Sequence, residues 1–237
     1  MNEPHIASAF DRDLEALQAN IMKMGGLVEA AILEAARALA ERDTALAESI
    51  RAGDKAVDAL EELINEESAR IIAIRQPVSS DLRVVLTVMK VSSNLERMGD
   101  YAKNIAKRTT VLAQQQQISG TDQSLRRMAR EVQAMLKDVL DAFIQRDVDL
   151  AIDVRQRDHG VDQMYNALFR EFLTYMMEDA RNITTCMHLH FIAKNIERMG
   201  DHATNIAEEV AYLVTGERPD ESRPKGESTP DLEPFKA

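Results

Sequence analysis

Apolar residues recur along this chain in alternating steps of four and three, the period of a helix with one buried face. Leu14, Leu17, Ile21, Met24, Val28, Ile32, Ala35 and Leu39 predict a first long helix. Val57, Leu60, Leu63, Ile64 and Ile71 predict a second that ends near Arg75, with Ala52-Gly53-Asp54 as an interruption signal. Gln76-Pro77-Val78-Ser79-Ser80 closes that region. Ser80 is placed to cap a third helix, and Asp81 puts a negative charge in its first turn. This third helix has a bundle seam of Val84, Val88, Val91, Leu95, Met98, Ala102, Ile105 and Leu112.

A polar stretch follows, with glutamine at 114–117 and then Ser119-Gly120, and the pattern restarts. Leu125, Met128, Val132, Met135, Val139 and Phe143 predict a fourth helix, and a fifth spans about Asp147 to Asp179. Asn182 is placed to cap a sixth, whose seam is Leu189, Ile192, Ile196, Met199, Ala203, Ile206, Val210 and Leu213. The expected fold is all-α, two tandem three-helix bundles over residues 1–115 and 121–215, each running up-down-up. A three-helix unit is small, so the halves are expected to pack together. The Pro-, Glu- and Ser-rich residues 216–237 are expected to form a disordered tail.

Composition narrows the function. No proline lies between Pro77 and Pro219, which suits long helices. The net charge of −11 argues against a nucleic-acid binder, which needs a basic surface to displace counterions. A single cysteine, Cys186, excludes a disulfide framework and a thiolate metal cluster, and it reads as a small apolar helix residue. The most apolar run, Val84 to Met89, is bounded by Arg83 and Lys90, so no segment is expected to span a membrane. The expected location is the cytoplasm, with membranes reached only through partners.

The chemistry-bearing signal is a repeat. Asn94-Leu95-Glu96-Arg97-Met98-Gly99-Asp100-Tyr101-Ala102-Lys103-Asn104-Ile105-Ala106 returns 101 residues later as Asn195-Ile196-Glu197-Arg198-Met199-Gly200-Asp201-His202-Ala203-Thr204-Asn205-Ile206-Ala207, with ten of thirteen positions identical. Glu96 and Asp100 lie one turn apart on one face, a like-charge spacing that costs a helix about 0.2–0.5 kcal/mol. The mid-helix glycine costs up to about 1 kcal/mol relative to alanine. Both penalties recur at Glu197, Gly200 and Asp201.

A second acidic pair accompanies each copy, Asp54 with Asp58 and Asp158 with Asp162, each ending in Val-Asp. If the helices are neighbours, four carboxylates converge in each half. Such a set suits hard cations such as Mg²⁺, Mn²⁺, Ca²⁺ or iron. The alternative is a solvated acidic face with weak ion pairs. Lys194 replaces Ser93 on the second motif's face, where its ammonium could replace a cation, so the first half is expected to be the tighter metal site. His190 shares that face, as a ligand or as a ring packed under a helix. No glutamate has a histidine three residues on, as a di-iron bundle requires, and Walker and G-x-S-x-G signatures are absent. The chain is therefore read as an interaction protein rather than an enzyme. The alternatives are a metal-dependent phosphohydrolase using two held cations, or a metal-buffering protein.

The doubled Glu-Arg-Met-Gly-Asp motif resembles the PhoU family of phosphate-signalling regulators. Four further stretches agree: residues 22–29, Arg75-Gln76-Pro77 with Asp81-Leu82-Arg83, residues 138–143, and residues 174–179. The resemblance spans about residues 5–215. It implies two three-helix bundles with pseudo-two-fold symmetry, and a negative regulator of the phosphate-starvation response and phosphate uptake. It also implies an adaptor that links the ATPase subunit of the phosphate ABC transporter to the sensor histidine kinase of a two-component system. The family includes homodimers and members with metal clusters on their acidic motifs, which correspond here to Asp54, Asp58, Glu96, Asp100, Asp158, Asp162, Glu197 and Asp201. Mg, Mn, Fe and Zn are not distinguishable on this ground.

Overall fold

The computed structural model describes residues 3–118 and 120–218. Its helices are α1 (Glu3–Glu41), α2 (Thr44–Arg75), α3 (Ser79–Leu112), α4 (Thr121–Gln145), α5 (Val148–Glu178) and α6 (Ile183–Thr215), with one 3-10 turn at Ala180–Asn182 before α6. Among the described residues there is no strand. Beyond Arg218, the tail expected to be disordered lies outside them.

Helices α1, α2 and α3 pack on one another, as do α4, α5 and α6. The two bundles meet through α1 against α4 and α3 against α6. Each helix at that junction therefore packs on its own counterpart, which is the pseudo-two-fold relation. The four inner helices enclose one continuous core, and α2 and α5 flank it on opposite sides without touching each other. All the seam residues predicted on α3, α4 and α6 are buried. On α1 only Leu14 is partly exposed, and on α2 Leu63 faces solvent.

The hairpin turns repeat as well. Arg42 and Arg146 each adopt a left-handed conformation (φ 54° and 56°). The next residue, Asp43 or Asp147, then caps the following helix by accepting a hydrogen bond from the backbone N–H of Leu46 (2.9 Å) or Leu150 (3.0 Å). An Arg-Asp pair thus turns the chain in both halves, a second echo of duplication.

Three local expectations are corrected. Helix α2 runs unbroken through Ala52-Gly53-Asp54, because its buried stripe continues across Gly53 from Ile50 to Val57. Ser80 is not the cap of α3. Val78 occupies that position with no side-chain cap bond, and the Ser80 hydroxyl points at Asp81. Asn182 donates its side-chain amide back to the Tyr175 carbonyl of α5 (3.2 Å), so it does not cap α6 by side chain. Asp179 caps the short turn instead, accepting from the Arg181 N–H at 2.9 Å.

Polar clamps tie helices inside each half. Arg75 of α2 donates two bonds to Asp13 of α1 (3.0 and 3.1 Å), and Arg157 of α5 reaches Glu131 (3.0 Å) and Asp138 (2.5 Å) of α4. At the junction of halves stands Gly25 of α1, where a methyl group would lie 2.3 Å from Leu140 Cδ1 of α4. The adjacent Gly26 faces open space. Gly26→Ala is therefore expected to stabilise by about 0.5–1 kcal/mol through helix propensity. Gly25→Ala is expected to destabilise by about 1–2 kcal/mol, because buried Leu140 has to leave its place. Urea unfolding of the two variants checks the opposite signs.

Candidate functional site: two acidic helix pairs

The motif helices serve three neighbours at once. On α3, Met98 enters the core, Asn94 faces the other half, and Glu96, Gly99 and Asp100 face α2. Asn94 Oδ1 lies 2.8 Å from His202 Nδ1 and accepts from Asn205 Nδ2 at 3.3 Å, so the first motif bonds directly to the second. The Tyr101 and His202 rings are in tilted contact (5.6 Å). Further along, Lys90 donates to Glu209 at 2.9 Å.

The glycines mark where the flanking helices approach. A methyl group at Gly99 would lie 3.3 Å from Val57 Cγ1 and 3.5 Å from Asp54 Oδ1 of α2. At Gly200 it would lie 2.9 Å from Asp158 Oδ1 and 3.5 Å from Val161 Cγ1 of α5. The first aspartate of each acidic pair and the valine three residues on thus face the glycine of the other helix in both halves. All eight carboxylates named from the sequence fall into two clusters, one at α2/α3 and one at α5/α6.

In the first cluster Asp54 is only 6% exposed. Lys103 of α3 donates to Asp54 Oδ2 at 2.5 Å and to Asp100 Oδ1 at 3.3 Å, bridging the helices. Arg97 lies 3.5 Å from Glu96 and 4.0 Å from Asp100. Burial and then the negative charge of Asp100 push the Glu96 carboxyl up to about 7, with Glu61 adding to the effect and Arg97 opposing it. Asp58 is also raised, by burial and by Asp54. Lys103 is raised, chiefly by its hydrogen bond to Asp54. Glu61 is a member of this cluster that periodicity did not single out.

In the second cluster Lys194 donates to Glu197 Oε1 at 2.5 Å, and its ammonium stands 5.1 Å from the centre of the Tyr165 ring of α5. Tyr165 occupies the position that Glu61 holds in the first half. Glu197 Oε2 is buried without a hydrogen-bond partner. Burial raises Glu197, opposed by Lys194, while Asp201 and Asp162 raise it further. His190 packs among the rings of Tyr165 (5.8 Å), Phe169 (5.3 Å) and Phe191 (5.9 Å), which is the packed-ring reading rather than a ligand position.

The donors are hard oxygens of the kind Mg²⁺ or Mn²⁺ takes. Their arrangement is looser than a metal centre asks for. Among the described residues no three His, Cys, Asp or Glu side chains gather where one ion could hold them. Lys103 supplies an ammonium to the first cluster as Lys194 does to the second. The signal was present in the sequence as the mismatch of Lys103 against Thr204, inside the otherwise repeated motif.

One hollow, about 660 Å³, is lined by Ala40, Asp122 and the arginines at 126, 127 and 130, away from both clusters. A smaller one, about 180 Å³, reaches Asp54 and Gly99 from the side of α1.

A helical protein made of two equivalent three-helix units, each carrying an acid-lined helix pair, is the class that fold and site define. The PhoU domain pattern matches residues 21–109 and again 125–210. The chain is 46% identical over 221 residues, 93% of its own length and 96% of the relative's, to the phosphate-specific transport system accessory protein PhoU homolog of Caulobacter vibrioides. It is 45% identical to the homolog of that name in Rhizobium meliloti, over 98% of both chains. The crystal structure of PhoU from Pseudomonas aeruginosa is similar, with a TM-score of 0.85 at 40% identity, covering 88% of this chain and 100% of that one. The phosphate transport system regulatory protein PhoU from Streptococcus pneumoniae gives 0.83 at 35%, covering 89% and 99%. This chain belongs to the PhoU family.

Burial, and after it the crowding of like charge, makes the first cluster pH-sensitive. Glu96 is raised from 4.5 to about 7, so the folded chain keeps a proton that the unfolded chain gives up between those values. That contribution to stability is complete below the lower value and lost as pH rises through the higher one. Glu96→Gln removes the charge and keeps the shape. It is expected to stabilise by about 1–2 kcal/mol near pH 8, after allowance for solvent screening, and by less than about 0.5 kcal/mol near pH 5. Thermal melts at both pH values test the sign.

Proposed function

We propose that this protein is a negative regulator of phosphate uptake and of the phosphate-starvation response. In this reading it acts as a cytoplasmic adaptor between the ATPase subunit of a phosphate ABC transporter and the sensor histidine kinase of a two-component system. The observation that carries the reading is the end-to-end match, 98% of both chains in one case, to relatives named as accessory proteins of phosphate-specific transport.

The architecture is consistent with an adaptor. Two bundles fused over one core offer long helix faces to protein partners. Among the described residues no helix is long and apolar enough to cross a membrane, so contact with a transporter would run through its protein subunits. Bridging two protein partners needs complementary surfaces, and it requires no chemical step at the acidic clusters.

The test is a phosphate-starvation reporter in the source organism with the gene deleted. Expression is expected to stay high in phosphate-rich medium, and plasmid-borne wild type is expected to restore repression. Normal repression in the deletion strain would overturn the regulatory reading. Co-purification of the tagged protein with the kinase and the ATPase checks the adaptor reading separately, and recovery of neither would overturn it.

A further inference from the structure

We propose that the cation each acidic helix pair calls for is supplied by the chain itself, as the ammonium of Lys103 in the first half and of Lys194 in the second. Lys103 bridges the two helices of its pair, and Lys194 holds the motif glutamate of the second. Lys103 lies between Asp54 of α2 and Asp100 of α3, at 2.5 and 3.3 Å, touching one acid from each helix. Lys194 lies 2.5 Å from Glu197 Oε1 and faces Tyr165 of α5.

The two lysines are not copies of each other. Thr204 stands at the position equivalent to Lys103, and Ser93 at the position equivalent to Lys194. Each half therefore carries one ammonium, placed from opposite ends of its motif. The repeat preserves Glu, Gly and Asp at fixed positions, yet meets the resulting negative charge by two different substitutions. A single lysine could be an accident of a solvated face. One in each cluster, at inequivalent positions and in each case bonded to a motif carboxylate, points to a requirement for an ammonium beside the arginine that both motifs share.

Charge and volume make the two solutions exclusive. A lysine ammonium is a compact point charge with three donors, and it takes carboxylate oxygens that a metal would need. A divalent ion held by Asp54 and Asp100 would stand at contact distance from Lys103 and be repelled by it. It would also have to shed water to reach buried oxygens, which Mg²⁺ does reluctantly. In the second cluster Lys194 satisfies Oε1 of Glu197, and the unpartnered Oε2 is the atom that would recruit an ion once the lysine is gone.

The experiment uses the full chain, stripped with chelator and then dialysed, as wild type, Lys103→Met, Lys194→Met and the double variant. Melting temperature is measured in EDTA, in millimolar MgCl₂ and in millimolar MnCl₂, and bound manganese is measured by equilibrium dialysis. Wild type is expected to shift by less than about 1 °C between conditions and to retain no stoichiometric metal. The double variant is expected to gain about 3–10 °C with MnCl₂ and to bind manganese at least about tenfold more tightly than wild type. Stoichiometric, tight manganese binding by wild type would overturn the proposal, and so would lysine variants no more responsive than wild type. Should the double variant not fold, the single variants and the wild-type measurement still decide, because Lys103→Met alone opens the first cluster.

Discussion

Helices α3 and α6 are required on every side, and that demand shapes the rest of the molecule. Each lines its own three-helix core, packs on the other across the centre, and holds a flanking helix close. A helix with three packed faces has little surface left for charge, so its acids have to sit at the one seam where burial is incomplete. Gly99 and Gly200 make that seam possible, since a side chain there would press on Val57 or on Asp158. The flanking helices contribute their own acids at the same level. The like-charge penalty is the cost of close approach, and Lys103 and Lys194 offset part of it. Burial first, and neighbouring carboxylates after it, raise the carboxyls of Asp58, Glu96 and Glu197.

Much of this could be read from the amino-acid order. Helix number, helix limits within a few residues and the inner seams follow from a period of 3.6 expressed by leucine, isoleucine, valine and methionine over long proline-free runs. Recurrence of Asp54-x-x-x-Asp58 with Glu96-x-x-x-Asp100 in the second half left the pairing of α2 with α3 as a condition, which the packing meets. The caps were less legible. Ser80 has the right chemistry, but a cap is defined by backbone geometry, and the extended residue there is Val78. Gly53 resembles a break in sequence, although a glycine without neighbours sits in a helix whenever the flanking stripe is buried.

The site divides in the same way. Which carboxylates cluster was legible, since equal spacing on adjacent helices puts them at one level. What they bond to was not, because a lysine's reach depends on rotamer and on the separation of two helices. Lys103 lies on the same helix as Asp100 but bonds most closely to Asp54, forty-nine residues away. Ser93 opposite Lys194 was the visible asymmetry, while Lys103 opposite Thr204 stood inside the motif among identical neighbours. Within a duplicated motif, the mismatched positions report local charge more directly than the matched ones.

Pairing of each inner helix with its own counterpart, α1 on α4 and α3 on α6, has a consequence for how such a chain can arise and assemble. An interface in which equivalent elements face one another is isologous, so the surface one half offers is complementary to itself. A lone three-helix unit of this kind would already be equipped to close into a symmetric pair. The eight residues between α3 and α4 then act as a tether that raises local concentration and frees the two copies to diverge. Divergence is what the paired lysines record, one architecture whose two halves now solve the same charge problem from different positions.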